Sequence, residues 1–147
     1  MNLAGGESLV VRDHSQAITV DSEMIMASGS MLQMAFSDQT WGSTISFANM
    51  VSMPALGGTL EFTFEEGIDP ELMGITTFKL FNWPIGMTAE DRFASIDTGG
   101  LNWDISHLYD TGEVTLLPEP TALSLLALGG LAMIRRVPWS RRLRPRM

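Results

Sequence analysis

The chain has no cysteine and only two histidines in 147 residues. That excludes a disulfide framework, a thiolate zinc site and a cysteine nucleophile. It leaves the compartment open, because exported proteins also lack cysteine. Cations are scarce over most of the length. Residues 1–120 hold all 17 acids and three bases, Arg12, Lys79 and Arg92, for a charge of −14. With so few cations to neutralise phosphates, the composition of this region argues against nucleic-acid binding. Long helical periodicity is missing too, and so is a Gly-x-Ser-x-Gly nucleophile elbow.

The other end of the chain reverses the balance. Residues 121–147 carry six arginines (Arg135, Arg136, Arg141, Arg142, Arg144 and Arg146) and no acid, for +6. The formal total of −8 is therefore the sum of an acidic body and a basic tail. Such asymmetry predicts two parts in different surroundings. Hydrophobic content of 45% with 18% charged residues argues against general disorder.

Between body and arginines lies an uncharged run, Thr121-Ala122-Leu123-Ser124-Leu125-Leu126-Ala127-Leu128-Gly129-Gly130-Leu131-Ala132-Met133-Ile134. As a helix it would be roughly 21 Å long at about 1.5 Å per residue. A bilayer core is about 30 Å thick, so the span is short and relies on snorkelling arginines or local thinning. Pro120 suits a first helical position, Glu119 the positive end of the helix dipole and Arg135-Arg136 its negative end. Gly129-Gly130 permits close helix approach in lipid. The arginines predict a cytoplasmic C-terminus. The competing reading is a buried core helix, but a run flanked only by arginines is not amphipathic.

Pro118-Glu119-Pro120, the short apolar run and Arg135-Arg136, in that order, resemble the PEP-CTERM sorting signal. The resemblance covers residues 117–147: motif 118–120, apolar helix 121–134, basic tail 135–147. The tail continues to Met147, longer than the few arginines that usually close such a signal. The resemblance implies an exported protein of a diderm bacterium, held transiently in the inner membrane. Exosortase, a membrane protease, would then process it for the cell surface or extracellular matrix. The partners implied are that protease, the lipid bilayer and extracellular polysaccharide. The N-terminus, Met1-Asn2-Leu3-Ala4-Gly5-Gly6, has no basic region and no apolar run of signal-peptide length. The expectation is therefore that Met1 is not the natural start, and that residues 1–116 are an extracellular β-rich domain truncated at its N-terminus.

Within that body, Leu32-Gln33-Met34-Ala35-Phe36, Ile45-Ser46-Phe47, Leu60-Glu61-Phe62-Thr63-Phe64 and Leu101-Asn102-Trp103-Asp104-Ile105 alternate apolar and polar residues. This predicts half-buried strands. Glycines punctuate the runs, which favours an all-β sandwich, barrel or solenoid. Gly29-Ser30-Met31-Leu32-Gln33-Met34-Ala35-Phe36 matches Gly57-Gly58-Thr59-Leu60-Glu61-Phe62-Thr63-Phe64, sharing Gly-x-x-Leu-x-apolar-x-Phe. A fainter copy starts at Gly6, with Leu9 and Val11 in place. Repeats predict terminal rungs of a β-solenoid, while related hairpins of a β-sandwich would look alike. One helical turn is predicted at Asp69-Pro70-Glu71-Leu72-Met73, with Asp69 as N-cap and Pro70 at N1. Gly57–Phe62, Thr77–Trp83, Gly100–Asp104 and Leu108–Gly112 also resemble the closing segment of large autotransporter-like, repeat-rich bacterial surface proteins. That resemblance implies an extracellular stalk and no known activity.

Chemistry in the body is sparse. Asp13-His14-Ser15 are adjacent, and neighbours on a strand point to alternating faces, so they form no triad. His107 sits in a turn-like stretch. Glu65, Glu66, Asp69 and Glu71 could hold calcium or line a solvated loop, and no EF-hand spacing is present. Trp41, Trp83 and Trp103 could stack on sugars or belong to the core. Met24, Met26, Met34, Met50 and Met53 read as adaptable core filling. No cofactor and no catalytic residue is expected. The principal expectation is a non-enzymatic surface protein; the alternative is a small carbohydrate-binding or carbohydrate-active domain on the same anchor.

Overall fold

The computed structural model describes residues 1–13, 17–86 and 91–118, and the chain there is all-β. It winds in coils. The first coil carries β1 (Asn2–Leu3), β2 (Ser8–Arg12) and β3 (Ile18–Asp21). The second carries β4 (Ile25–Met26), β5 (Met31–Phe36) and β6 (Ile45–Ala48). The third carries β7 (Ala55–Leu56) and β8 (Thr59–Phe64), and then makes an excursion. That excursion contains a 3-10 turn (Pro70–Met73) and β9 (Thr76–Lys79) before β10 (Phe81–Asn82) resumes the coil. A fourth pass adds β11 (Ser95–Asp97). Two last strands, β12 (Trp103–Asp104) and β13 (Glu113–Leu116), follow.

Equivalent strands of successive coils pair in parallel. They form three sheets, ordered β1-β4-β7, β2-β5-β8-β11 and β3-β6-β10. This is a β-solenoid. A sandwich of hairpins would need antiparallel neighbours, which these sheets lack. Period-2 alternation could not separate the two, because it tells which face is buried and not which way the partner runs. The echo in the sequence is the physical register. Leu32 lies opposite Leu60, Met34 opposite Phe62 and Phe36 opposite Phe64. The fainter copy is also real, with Leu9 opposite Leu32 and Val11 opposite Met34.

Stacking like on like builds the core. Leu32 and Leu60 are fully buried, as are Met34 and Phe36, and Ile96 packs beneath Leu60. Each such side chain contributes about 1.5–3 kcal/mol on burial. Between rungs the backbone comes close. A Cβ on Gly57 would lie 2.8 Å from the Met26 carbonyl oxygen, and one on Gly58 2.6 Å from that of Ser30. Only glycine fits at the head of the third coil for this reason. On the outer face polar neighbours form short ladders. Thr59 and Ser95 share a 2.7 Å hydroxyl contact, and Asn82 donates to Ser46 Oγ at 2.9 Å.

A fourth sheet, β12-β13-β9, is antiparallel. It closes the aromatic end of β5 and β8: Phe78 of β9 and Trp103 of β12 pack on Phe36, with centroids 4.4 and 5.4 Å away. The alternation over Leu101–Ile105 is strand only at Trp103–Asp104. Leu101 and Ile105 are taken into turns, donating to Thr98 and accepting from Leu108. The predicted helical turn is present, as a 3-10 turn. Asp69 Oδ1 accepts from the Glu71 N–H at 3.0 Å, Pro70 occupies the start and Gly74 ends it. Of the methionines, Met24, Met26 and Met34 fill the core, Met50 is half-buried and Met53 is exposed.

Candidate functional site

The described structure carries the chain to Pro118, the first residue of Pro118-Glu119-Pro120. β13 runs antiparallel to β9, with Glu113 opposite Lys79 and Leu116 opposite Thr76. Leu117 then donates its N–H to the Asn102 carbonyl at 2.9 Å, and Pro118 is exposed. Pro118 therefore lies two residues beyond a strand, β13, clamped on both sides. Glu119, Pro120, the apolar run from Thr121 to Ile134, and Arg135 and Arg136 lie outside the described residues. Among the described residues no helix is long and apolar enough to cross a membrane.

The three tryptophans do not share a face. Trp103 is buried against Phe36, Phe62, Phe64 and Phe78. Trp41 is half-buried on the far side of Phe36, 5.0 Å between centroids. Trp83 belongs to a separate cluster, stacked on Phe81 at 4.1 Å and on Phe47 at 5.4 Å. Its indole N–H is committed to the Leu108 carbonyl, and those of Trp41 and Trp103 are buried. None of the three offers an N–H to a sugar, and only Trp41 and Trp83 keep part of a ring exposed.

The acidic cluster is dispersed by local bonds. Glu65 pairs with Arg12, Nη1 to Oε1 3.0 Å, reaching from the third coil to the first. Asp69 caps its own turn. Among the described residues no group of three or more acidic or histidine side chains is arranged to hold a metal ion. His14 lies outside the described residues. His107 is exposed, and its carbonyl accepts from the backbone N–H groups of Thr111 and Gly112 at 3.0 Å, which closes the turn before β13.

Charged groups elsewhere serve turns. The Thr40 hydroxyl and then its backbone N–H hold the Asp38 carboxyl below its ordinary 3.8, at 2.6 and 2.5 Å. The Ser106 hydroxyl and backbone N–H do the same for Asp104. Tyr109 shifts the other way. Burial raises its phenol above 10.0, against the opposing pull of the Phe93 N–H at 3.0 Å and of Arg92, whose guanidinium lies 4.9 Å from the ring centroid.

One feature beside the motif was not anticipated from the sequence. Leu72 and Ile75, bracketing the buried Met73, are 81% and 73% exposed. Their exposure, and the burial of Met73 between them, depend on the packing of the excursion. No family model matches the chain, and no match emerges among curated proteins or solved structures.

Proposed function

We propose that the chain is an exported, non-enzymatic cell-surface β-solenoid whose C-terminus is a PEP-CTERM signal for membrane retention and exosortase-type processing. The observation that carries the proposal is the order Pro118-Glu119-Pro120, uncharged run 121–134, Arg135-Arg136. Two features support it. Stacked parallel coils are the architecture expected of a repeat-rich surface stalk. An exposed Pro118, two residues beyond the clamped strand β13, leaves the first residue of the motif open to a membrane protease. In this reading Pro118, Glu119 and Pro120 are recognised, Thr121–Ile134 enters the bilayer, and the arginines stop transfer and set orientation. The acidic body suits a hydrated surface and limits self-association. The carbohydrate-binding alternative rested on Trp41, Trp83 and Trp103; Trp103 is buried, while Trp41 and Trp83 are half-buried in separate aromatic clusters, so the three do not make one sugar-binding face.

The test is a tagged full-length chain expressed in a bacterium that carries an exosortase-type protease. The parent is expected to mature to a lower mass and leave the inner membrane. Glu119→Ala is expected to keep its unprocessed mass and stay there. Identical mass and location for parent and variant would overturn the sorting function.

A further inference from the structure

We propose that Leu72 and Ile75 make a shallow contact with the bilayer beside the point where the tail leaves the body, so that the excursion of the third coil faces the membrane. The inference rests on the membrane reading above and adds an orientation to it. Its warrant is a juxtaposition. β13 ends with Leu116 opposite Thr76, so the chain passes Ile75 as it reaches Leu117 and Pro118. Leu72 and Ile75 are 81% and 73% exposed; Val51 at 78% and Ile85 at 99% are as exposed, but only Leu72 and Ile75 adjoin the strand partner of the departing tail. A lone exposed leucine needs no explanation, but an apolar pair at the exit of an apolar tail does.

Reach decides the occupant. From Pro118 to Thr121 is three residues, at most about 10–11 Å of extended chain. Pro118 and Pro120 favour a stiff extended spacer over a long flexible one. The headgroup layer is roughly 5–7 Å thick on each side of the hydrocarbon core. If the membrane reading holds and residues 121–134 enter the core, so short a spacer keeps Ile75, beside the strand exit, and the adjoining Leu72 near the headgroup layer. Glu71 adjoins the pair, and Glu66 and Asp69 precede it. These acids limit the depth of contact and favour zwitterionic over anionic lipid.

The absence of native cysteine makes the experiment clean. Leu72→Cys, Ile75→Cys and, as a control at another corner of the solenoid, Val51→Cys are each introduced into the full chain and labelled with an environment-sensitive fluorophore. All three positions are exposed, so the core is untouched. The chains are incorporated into phosphatidylcholine vesicles carrying a lipid-attached quencher, and flotation is measured in parallel. Labels at 72 and 75 are expected to shift to the blue and be quenched at least twice as strongly as the label at 51. Flotation with equal quenching at all three positions overturns the contact and leaves the membrane reading standing. Blue-shifted labels at 72 and 75 before vesicles are added also overturn it, because protein then covers the pair. A chain that does not float removes the membrane reading and the contact with it.

Discussion

Replacing Phe36 tests whether the parallel sheet β2-β5-β8-β11 and the antiparallel sheet β12-β13-β9 share one core. Its side chain is fully buried at the end of β5. Its ring lies 4.4 Å from Phe78, 5.0 Å from Trp41, 5.4 Å from Trp103, 5.5 Å from Phe64 and 6.1 Å from Phe62. Those neighbours come from β8, β9, β12 and the loop after β5, so no single element can move in to fill a hole. Phe→Ala in a core costs about 3–5 kcal/mol, more where the site cannot collapse. Each well-placed aromatic pair adds about 0.5–1.5 kcal/mol beyond burial. Phe36→Ala is therefore expected to cost about 4–5 kcal/mol, a large part of a total near 5–15. Phe36→Leu keeps most of the apolar volume and is expected to cost about 1–2 kcal/mol. Ile85→Ala, at a position 99% exposed, is expected to change stability by less than about 0.5 kcal/mol. Urea unfolding of the full chain, followed by tryptophan fluorescence, reads all three. A cost for Phe36→Ala below about 1.5 kcal/mol, less than a cavity there demands, would refute the shared core.

Gly112 and Tyr109 give two more tests. Gly112 sits at φ +79°, and a Cβ there would overlap the Phe81 carbonyl. Gly112→Ala is expected to destabilise by at least about 1–2 kcal/mol from the backbone conformation alone, before the clash is counted; a urea midpoint equal to the parent's contradicts this. Tyr109 is the single tyrosine, so its ionisation is visible by ultraviolet titration. Because burial raises its pKa above 10.0, the folded state favours the neutral phenol. Its contribution to stability is thus full below pH 10 and lost as pH rises through the folded pKa; a titration midpoint at or below 10 overturns that assignment.

What could be read from the sequence followed from side-chain chemistry at short range. Leu32, Met34 and Phe36 announced a strand, and their match to Leu60, Phe62 and Phe64 announced its neighbour in the right register. Asp69 and Pro70 announced a turn by capping. Strand direction was not legible, since parallel and antiparallel neighbours ask the same alternation of a half-buried strand. Two-residue strands such as β1, β4 and β7 were missed because they are too short to hold a period. The antiparallel sheet was hidden for another reason: β9 and β13 are far apart in sequence, and Thr76–Lys79 and Glu113–Leu116 carry no local sign of each other. The order Pro118-Glu119-Pro120, uncharged run, Arg135-Arg136, on which the proposed function rests, is plain in the residues themselves. The apolar pair beside it is not, because exposure of Leu72 and Ile75 is a property of the folded excursion.

The pairing pattern also orders the events of folding. Every parallel rung joins a strand to one in the next coil, so each coil can dock as soon as it has been synthesised, on a template already present. The antiparallel sheet follows a different timetable. β9 is made with the third coil but stays unpaired on its β13 side until β13 exists, and β13 is the last strand of the body. Phe78 and Trp103 can be sealed over Phe36 only then. A chain made from its N-terminus thus completes its aromatic core at the moment the Pro-Glu-Pro motif emerges, and an unfinished body is one whose motif has not yet appeared.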